Sequence, residues 1–93
     1  MIPTSIHPGQ HLKELLDEWG ISQSALARHI KVKPGLINEI CNGRRGISIE
    51  LAQCLGEAFG SSVDFWVHLQ NAFELGKSKF KPNFGRLPQI KAA

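Results

Sequence analysis

Ser22–Arg45, SQSALARHIKVKPGLINEICNGRR, is the stretch whose reading decides the fold. It reads as two short helices joined by a tight turn. The Ser22 hydroxyl can cap free N–H groups at the start of a helix through Ala25, Leu26, Ala27 and Ile30. Pro34 suits the first turn of a second helix, where its missing N–H would have no partner anyway. That helix directs Ile37 and Ile40 inward and stops at Asn42-Gly43. Helices this short and this closely joined must cross at close range. The crossing wants a small residue in the first helix, which Ala27 supplies, and an apolar turn residue, which Val32 supplies. The spacing therefore predicts a helix-turn-helix over about residues 22–43.

Working outward, Leu12, Leu15, Leu16 and Trp19 recur at i, i+3, i+4 and i+7, the stripe of an amphipathic helix between Pro8 and Gly20. Ser48 caps a fourth helix presenting Leu51, Ala52, Leu55 and Phe59. Ser61 or Ser62 caps a fifth, with Trp66, Leu69 and Phe73 on one face and Gly76 beyond its end. The expected class is all-α, with five helices in a compact orthogonal array over residues 1–76. Residues 77–93 differ in composition. Pro82 and Pro88 forbid a continuous helix there, yet Phe80, Phe84, Leu87 and Ile90 are too apolar for a purely solvating tail. An extended segment that docks on its own domain, across a dimer or on a partner is expected, with disorder in isolation as the alternative.

Composition excludes several classes of protein. A chain of 93 residues buries only about 60–65% of its unfolded surface. Its core must be simple, and a second chain can complete it. No apolar run exceeds three residues, so neither a membrane span nor a secretory segment is expected, and the cytoplasm is the expected compartment. Cys41 and Cys54 are too few for a disulfide scaffold and lack zinc-site spacing, which leaves them as packing residues. No nucleophile–base–acid order or phosphate-binding glycine loop appears, so no enzyme and no cofactor is expected. His7 and His11 could share a helix face, but nothing completes a ligand set, and they read as ordinary surface histidines with no metal.

The net charge of +3 hides a division. All eight acidic residues lie before position 75, whereas Lys77, Lys79, Lys81, Arg86 and Lys91 follow it. Arg28–Arg45 is a second basic region, carrying Arg28, Lys31, Lys33, Arg44 and Arg45 against Glu39 alone. Two basic regions on an otherwise acidic chain point to anionic partners at defined places. Gln23, at the helix start, can hold a phosphate, and Arg44 and Arg45 follow the second helix where a DNA backbone would pass. The expected phosphate contacts are Gln23, Arg28, Lys31, Arg44 and Arg45, with Lys33 as an auxiliary.

The stretch Ser22-Gln23, Leu26-Ala27, Ile37-Asn38-Glu39-Ile40 and Asn42-Gly43 resembles the lambda-repressor-like (XRE-type) DNA-binding domains. More narrowly, His7-Pro8-Gly9, Asn42-Gly43-Arg44-Arg45-Gly46-Ile47 and Phe65-Trp66-Val67-His68-Leu69-Gln70 look like HigA-type antitoxins, over about residues 7–75. The resemblance implies a homodimer that binds double-stranded operator DNA, represses its own operon and neutralises a small ribonuclease toxin. It also exposes two departures. The turn glycine of the family is Lys31 here, and a left-handed non-glycine residue costs about 1–2 kcal/mol. The reading positions hold Lys33, Pro34, Gly35 and Leu36, and neither Pro34 nor Gly35 has a side chain that bonds a base. Base reading falls to Lys33 on guanine, Asn38 on adenine, Leu36 on a thymine methyl and Glu39 on cytosine. Glu39 can instead pair with Arg45. DNA shape and operator symmetry then carry part of the specificity.

Dimer or toxin contacts are expected at Phe65, His68, Phe80, Phe84, Leu87 and Ile90. A dimer neutralising about six to eight phosphates gives a salt slope of roughly −5 to −7. Two alternatives stay open. One is a free-standing phage-type or controller repressor without a toxin. The other is a protein-interaction module on the same fold with little operator specificity.

Overall fold

The computed structural model describes residues 6–88, and Ile90 lies outside them. Five helices follow in chain order: α1 (Pro8–Trp19), α2 (Gln23–Ile30), α3 (Pro34–Cys41), α4 (Ile49–Phe59) and α5 (Val63–Lys77). The described residues contain no strand. The all-α, five-helix architecture read from the sequence is therefore the one observed.

Local chemistry starts the helices. Ser22, Ser48 and Ser62 each accept a hydrogen bond through Oγ from the backbone N–H three residues on, at 3.0–3.1 Å. His7 does the same for α1, its Nδ1 accepting from Gly9 N–H at 2.9 Å. Only α3 begins without a side-chain cap, and Pro34 in its first turn leaves one fewer N–H to satisfy.

The helix ends repeat one device. Ile21, Val32, Arg44 and Ser61 each donate a backbone N–H to the carbonyl five residues back, at 2.8–3.0 Å. The residue before each of these has positive φ: Gly20, Lys31, Gly43 and Gly60. This is the Schellman closure, which needs a left-handed residue to turn the chain off the helix. Three of the four positions are glycine. Lys31 adopts the same conformation, φ 61° and ψ 44°, with a side chain attached. Ile21 and Val32, immediately after their turns, fold back against the core.

The core contains Leu12, Leu16, Leu26, Ala27, Ile37, Ile40, Leu51, Leu55, Trp66 and Leu69. Ala27, Ile37 and Ile40 are fully buried at the α2–α3 crossing, as the spacing required. The indole N–H of buried Trp66 donates to Ser61 Oγ at 3.1 Å, which removes the penalty of burying it. Helix α1 comes so close to the last turn of α3 that a Cβ at Gly9 would overlap the Ile40 carbonyl oxygen.

Three boundaries differ from the sequence reading. Trp19 is 51% exposed, not buried, and rests edge-on against Phe59 at 5.1 Å. The turn at Gly20 brings Ile21 back onto the core, so the α1 stripe ends inward at Leu16. Gly76 lies within α5 rather than beyond it. The Gln70 amide donates to Glu74 at 3.0 Å and Lys77 sits over the Phe73 ring at 5.2 Å, bracing that last turn. Residues 78–88 form no helix or strand, and Phe80, Phe84 and Leu87 are 79–91% exposed, so this described part of the tail does not pack on its own domain.

Lys31 gives the most direct test of the turn geometry. Relief of left-handed strain, partly offset by a freer unfolded chain, should make Lys31→Gly more stable by about 0.5–1 kcal/mol. In thermal unfolding this appears as a Tm rise of roughly 2–8 °C. An unchanged or lowered Tm would contradict the strain argument.

Candidate nucleic-acid interface

The outward surface of the α2–α3 unit is polar and shaped by backbone as much as by side chains. Lys33, Pro34, Gly35 and Asn38 are exposed on α3 and its lead-in, while Leu36 and Glu39 are half-buried. A Cβ at Gly35 would meet nothing within 4 Å, so open space lies over this part of the helix. A close-approaching surface can therefore contact backbone there. Lys33, Gly35, Leu36, Glu39 and Arg45 line one shallow depression.

Glu39 pairs with Arg45, Oε2 to Nε at 3.7 Å, the pairing that the sequence left open beside base contact. Both groups are about half exposed, so the pair contributes little to stability. Its effect is local: it neutralises the only carboxylate on a basic surface. Among the described residues no carboxylate lies within ion-pair distance of Arg44.

Gln23 and Asn38 meet across the two helices. Asn38 Nδ2 donates to Gln23 Oε1 at 3.2 Å, and Asn42 Nδ2 donates to Asn38 Oδ1 at 3.1 Å. Each side chain keeps unused hydrogen-bonding capacity, since an amide offers two donors and two lone pairs. The set is thereby oriented before any ligand arrives. Asn42 was not among the residues singled out from the sequence, although its i+4 spacing from Asn38 is the available signal.

The loop carrying Arg44 and Arg45 is fastened at several points. Arg44 N–H is fixed by the α3 closure, donating to the Glu39 carbonyl at 2.8 Å. Ile47 N–H donates to Gln70 Oε1 at 2.8 Å, tying the loop to α5. His7 lines the depression beside Arg44 and Arg45, and its imidazole rests edge-on against Phe73 at 4.7 Å. Sequence reasoning missed Gln70 and His7 as positioning residues; both stand in quoted stretches, but their partners are distant in the chain. Reading His7 and His11 as ordinary surface histidines is also corrected. His7 caps a helix, and His11 has a buried Nε2 without a hydrogen-bond partner.

The remaining residues fall elsewhere. Arg28 is exposed on α2. Lys31 lines a separate depression with His29, Cys54 and Glu57, not the one holding Lys33 and Arg45. Phe65 and His68 are exposed on α5, where Phe65 stacks edge-on against Trp66 at 5.1 Å. Leu75, also exposed on α5, carried no signal in the core-facing pattern. Burial raises the Cys41 thiol pKa, in keeping with a packing role. Among the described residues no cluster of three or more His, Cys, Asp or Glu is placed to hold a metal, and no helix is long and apolar enough to cross a membrane.

A helix-turn-helix family model matches residues 12–66, from α1 into the first turn of α5. The antitoxin HigA of Pseudomonas aeruginosa, solved with the higBA promoter, is 44% identical, with 76% of this chain and 78% of that chain covered at a TM-score of 0.75. The chain belongs to the HigA-type family of XRE helix-turn-helix proteins. A HigA-family addiction module antidote protein from Coxiella burnetii is 35% identical over 82% of each chain, with a TM-score of 0.72. The uncharacterized HTH-type transcriptional regulator YddM of Escherichia coli is 30% identical, covering 89% of this chain and 88% of its own length. The fold is thus the lambda-repressor-like one, and the α2–α3 unit of this HigA-type chain is its helix-turn-helix.

His7 makes the loop anchor sensitive to pH. Burial, then the Lys77 charge, lowers its pKa below the ordinary 6.5, against an opposing hydrogen bond to the Arg45 backbone. The unfolded state therefore binds this proton more readily. The stability linked to neutral His7 is fully present above pH 6.5 and is lost as pH falls through the lower native value. His7→Asn keeps a capping oxygen without a titrating group. In Tm measurements between pH 8 and 5, this variant should lose less stability on acidification than the parent. Coincident profiles would remove His7 from the account.

Proposed function

We propose that this chain is a DNA-binding antitoxin that represses its own operon as a homodimer and neutralises a ribonuclease toxin by direct contact. The observation that carries the DNA half is the arginine loop. Arg44, without an acidic partner among the described residues, is held beside the exposed α3 surface by fixed backbone bonds on both sides of the loop. Cations positioned in advance lose little conformational freedom when they meet phosphates. Similarity to the HigA antitoxin solved with its promoter supports the same reading.

Within this reading the cations and Gln23 position the protein on the backbone, while α3 meets the bases. Lys33 and Leu36 are the direct readers at its lead end. Asn38 reads through an amide already oriented by Gln23 and Asn42. Glu39, paired with Arg45, serves the loop more than the bases. Pro34 and Gly35 leave base-edge positions without side-chain donors, so DNA deformability supplies part of the discrimination. Two copies reading half-sites one turn apart provide the rest.

The toxin half rests on family membership and on the unpartnered apolar residues. Phe65 and His68 on α5, with Phe80, Phe84 and Leu87 in the tail, are the proposed protein contacts. A second reading, a transcriptional regulator without a toxin, is favoured by the similarity to YddM. Expressing the neighbouring reading frame alone and with this chain separates the two. Growth arrest relieved by this chain supports the antitoxin; no arrest favours the regulator.

The double change Arg44→Ala with Arg45→Ala tests the DNA surface. It should weaken operator binding and lower the salt slope by up to about two per domain. Neutralisation of the toxin should survive. Unchanged affinity and slope in a folded double variant would move the DNA surface elsewhere.

A further inference from the structure

Lys77 lines the same surface basin as Arg44 and Arg45, together with His7, Gln70, Phe73 and Glu74, whose carboxylate accepts from the Gln70 amide. It is also the last residue of α5, where the chain leaves the folded body. Beyond it the described chain forms no helix or strand, bends at Phe84 and turns at Gly85 with φ 72°, and every residue from 78 to 88 is exposed. Lysine recurs at every second position, Lys77, Lys79 and Lys81, and Arg86 follows. No acidic residue occurs after Glu74. In extended chain, alternate residues fall on opposite edges. Lys79 and Lys81 then share one edge at a spacing of about 6.6 Å, comparable to the separation of neighbouring phosphates on a DNA strand, with Lys77 just before them at the end of α5. Phe80 falls on the other register, and Arg86 lies beyond the turn at Gly85, where the alternation is broken.

From this continuity we propose that the tail from Lys77 onward lies along the DNA phosphate backbone, prolonging the contact begun by Arg44 and Arg45. The inference rests on the DNA-binding reading above and adds a second element to it. Charge complementarity selects the occupant: four described tail cations face no carboxylate of their own segment, and the rest of the chain is acidic overall. Residues 78–83, before the bend, span about 20 Å when extended, and straightening of the Phe84–Gly85 turn would bring 78–88 to about 36 Å, close to one turn of duplex. The tail can therefore follow the backbone beyond the α3 footprint. Because phosphates carry no base identity, this contact raises affinity for all DNA alike. The apolar register stays available to protein contacts.

The test is the triple variant Lys79→Gln, Lys81→Gln, Arg86→Gln in the full chain, titrated against operator and scrambled duplexes across salt. All three positions are exposed and lie outside the helices, so the helical body is not at risk. The expected result is roughly tenfold or greater loss of affinity at about 150 mM salt. It should be equal on both duplexes, with the salt slope reduced by about two to three per chain. Unchanged affinity and slope would overturn the proposal, and if the arginine double variant still lost both, the DNA-binding reading itself would stand. Binding unchanged on DNA but lost to the co-expressed toxin would overturn it in favour of an acidic protein surface. If the parent chain bound neither duplex, both readings would fall together.

Discussion

The contact on which the site depends is the approach of α1 to the last turn of α3 at Gly9. Any side chain there would overlap the Ile40 carbonyl, so the two helices can sit this close only because position 9 has none. The consequences are local and cumulative. With α1 against α3, the residue just before α1, His7, arrives beside the loop that leaves α3. It caps its own helix and at the same time lines the depression beside Arg44 and Arg45. Gln70 completes the clamp from α5. A few backbone-directed bonds therefore convert a buried helix crossing into a fixed direction for two arginines at the surface.

Electrostatics follow the same division. The folded body is acidic overall, yet on α3 the Glu39 carboxylate is matched by Arg45, and Glu74 at the rim of the neighbouring basin accepts a hydrogen bond from Gln70. The Glu39–Arg45 pair is too exposed to matter greatly for stability. It matters for the potential, since an uncompensated carboxylate near phosphates would oppose binding. Arg44 and Lys77 then present positive charge around one basin, from which the basic tail departs.

Most of the fold was legible because short-range chemistry and core periodicity agreed. Ser22, Ser48 and Ser62 announce helix starts, and Ala27 with Ile37 and Ile40 announces a close crossing. The failures lie where periodicity ran past the edge of the core or a residue type misled. Trp19 continues the α1 stripe, yet Ile21 takes its place inward after the Schellman turn. Gly76 looks like a terminator, but side-chain bonds one turn long carry α5 past it. The site was legible in part. Glu39–Arg45 was foreseeable as a nearby opposite pair, and the left-handed turn at Lys31 from a departure in pattern. The links from His7 and Gln70 to the arginine loop were not, because they join residues far apart in sequence through backbone groups that carry no sequence signal.

On the proposed reading, the α3 surface and its arginine loop make this chain a sequence-specific DNA binder. The most direct test is a titration of the purified protein against the DNA upstream of its own reading frame, with a scrambled competitor, at two salt concentrations. Discrimination of about 10³ or more is expected, with binding weakening steeply as salt rises. Equally weak binding to both DNAs would contradict it.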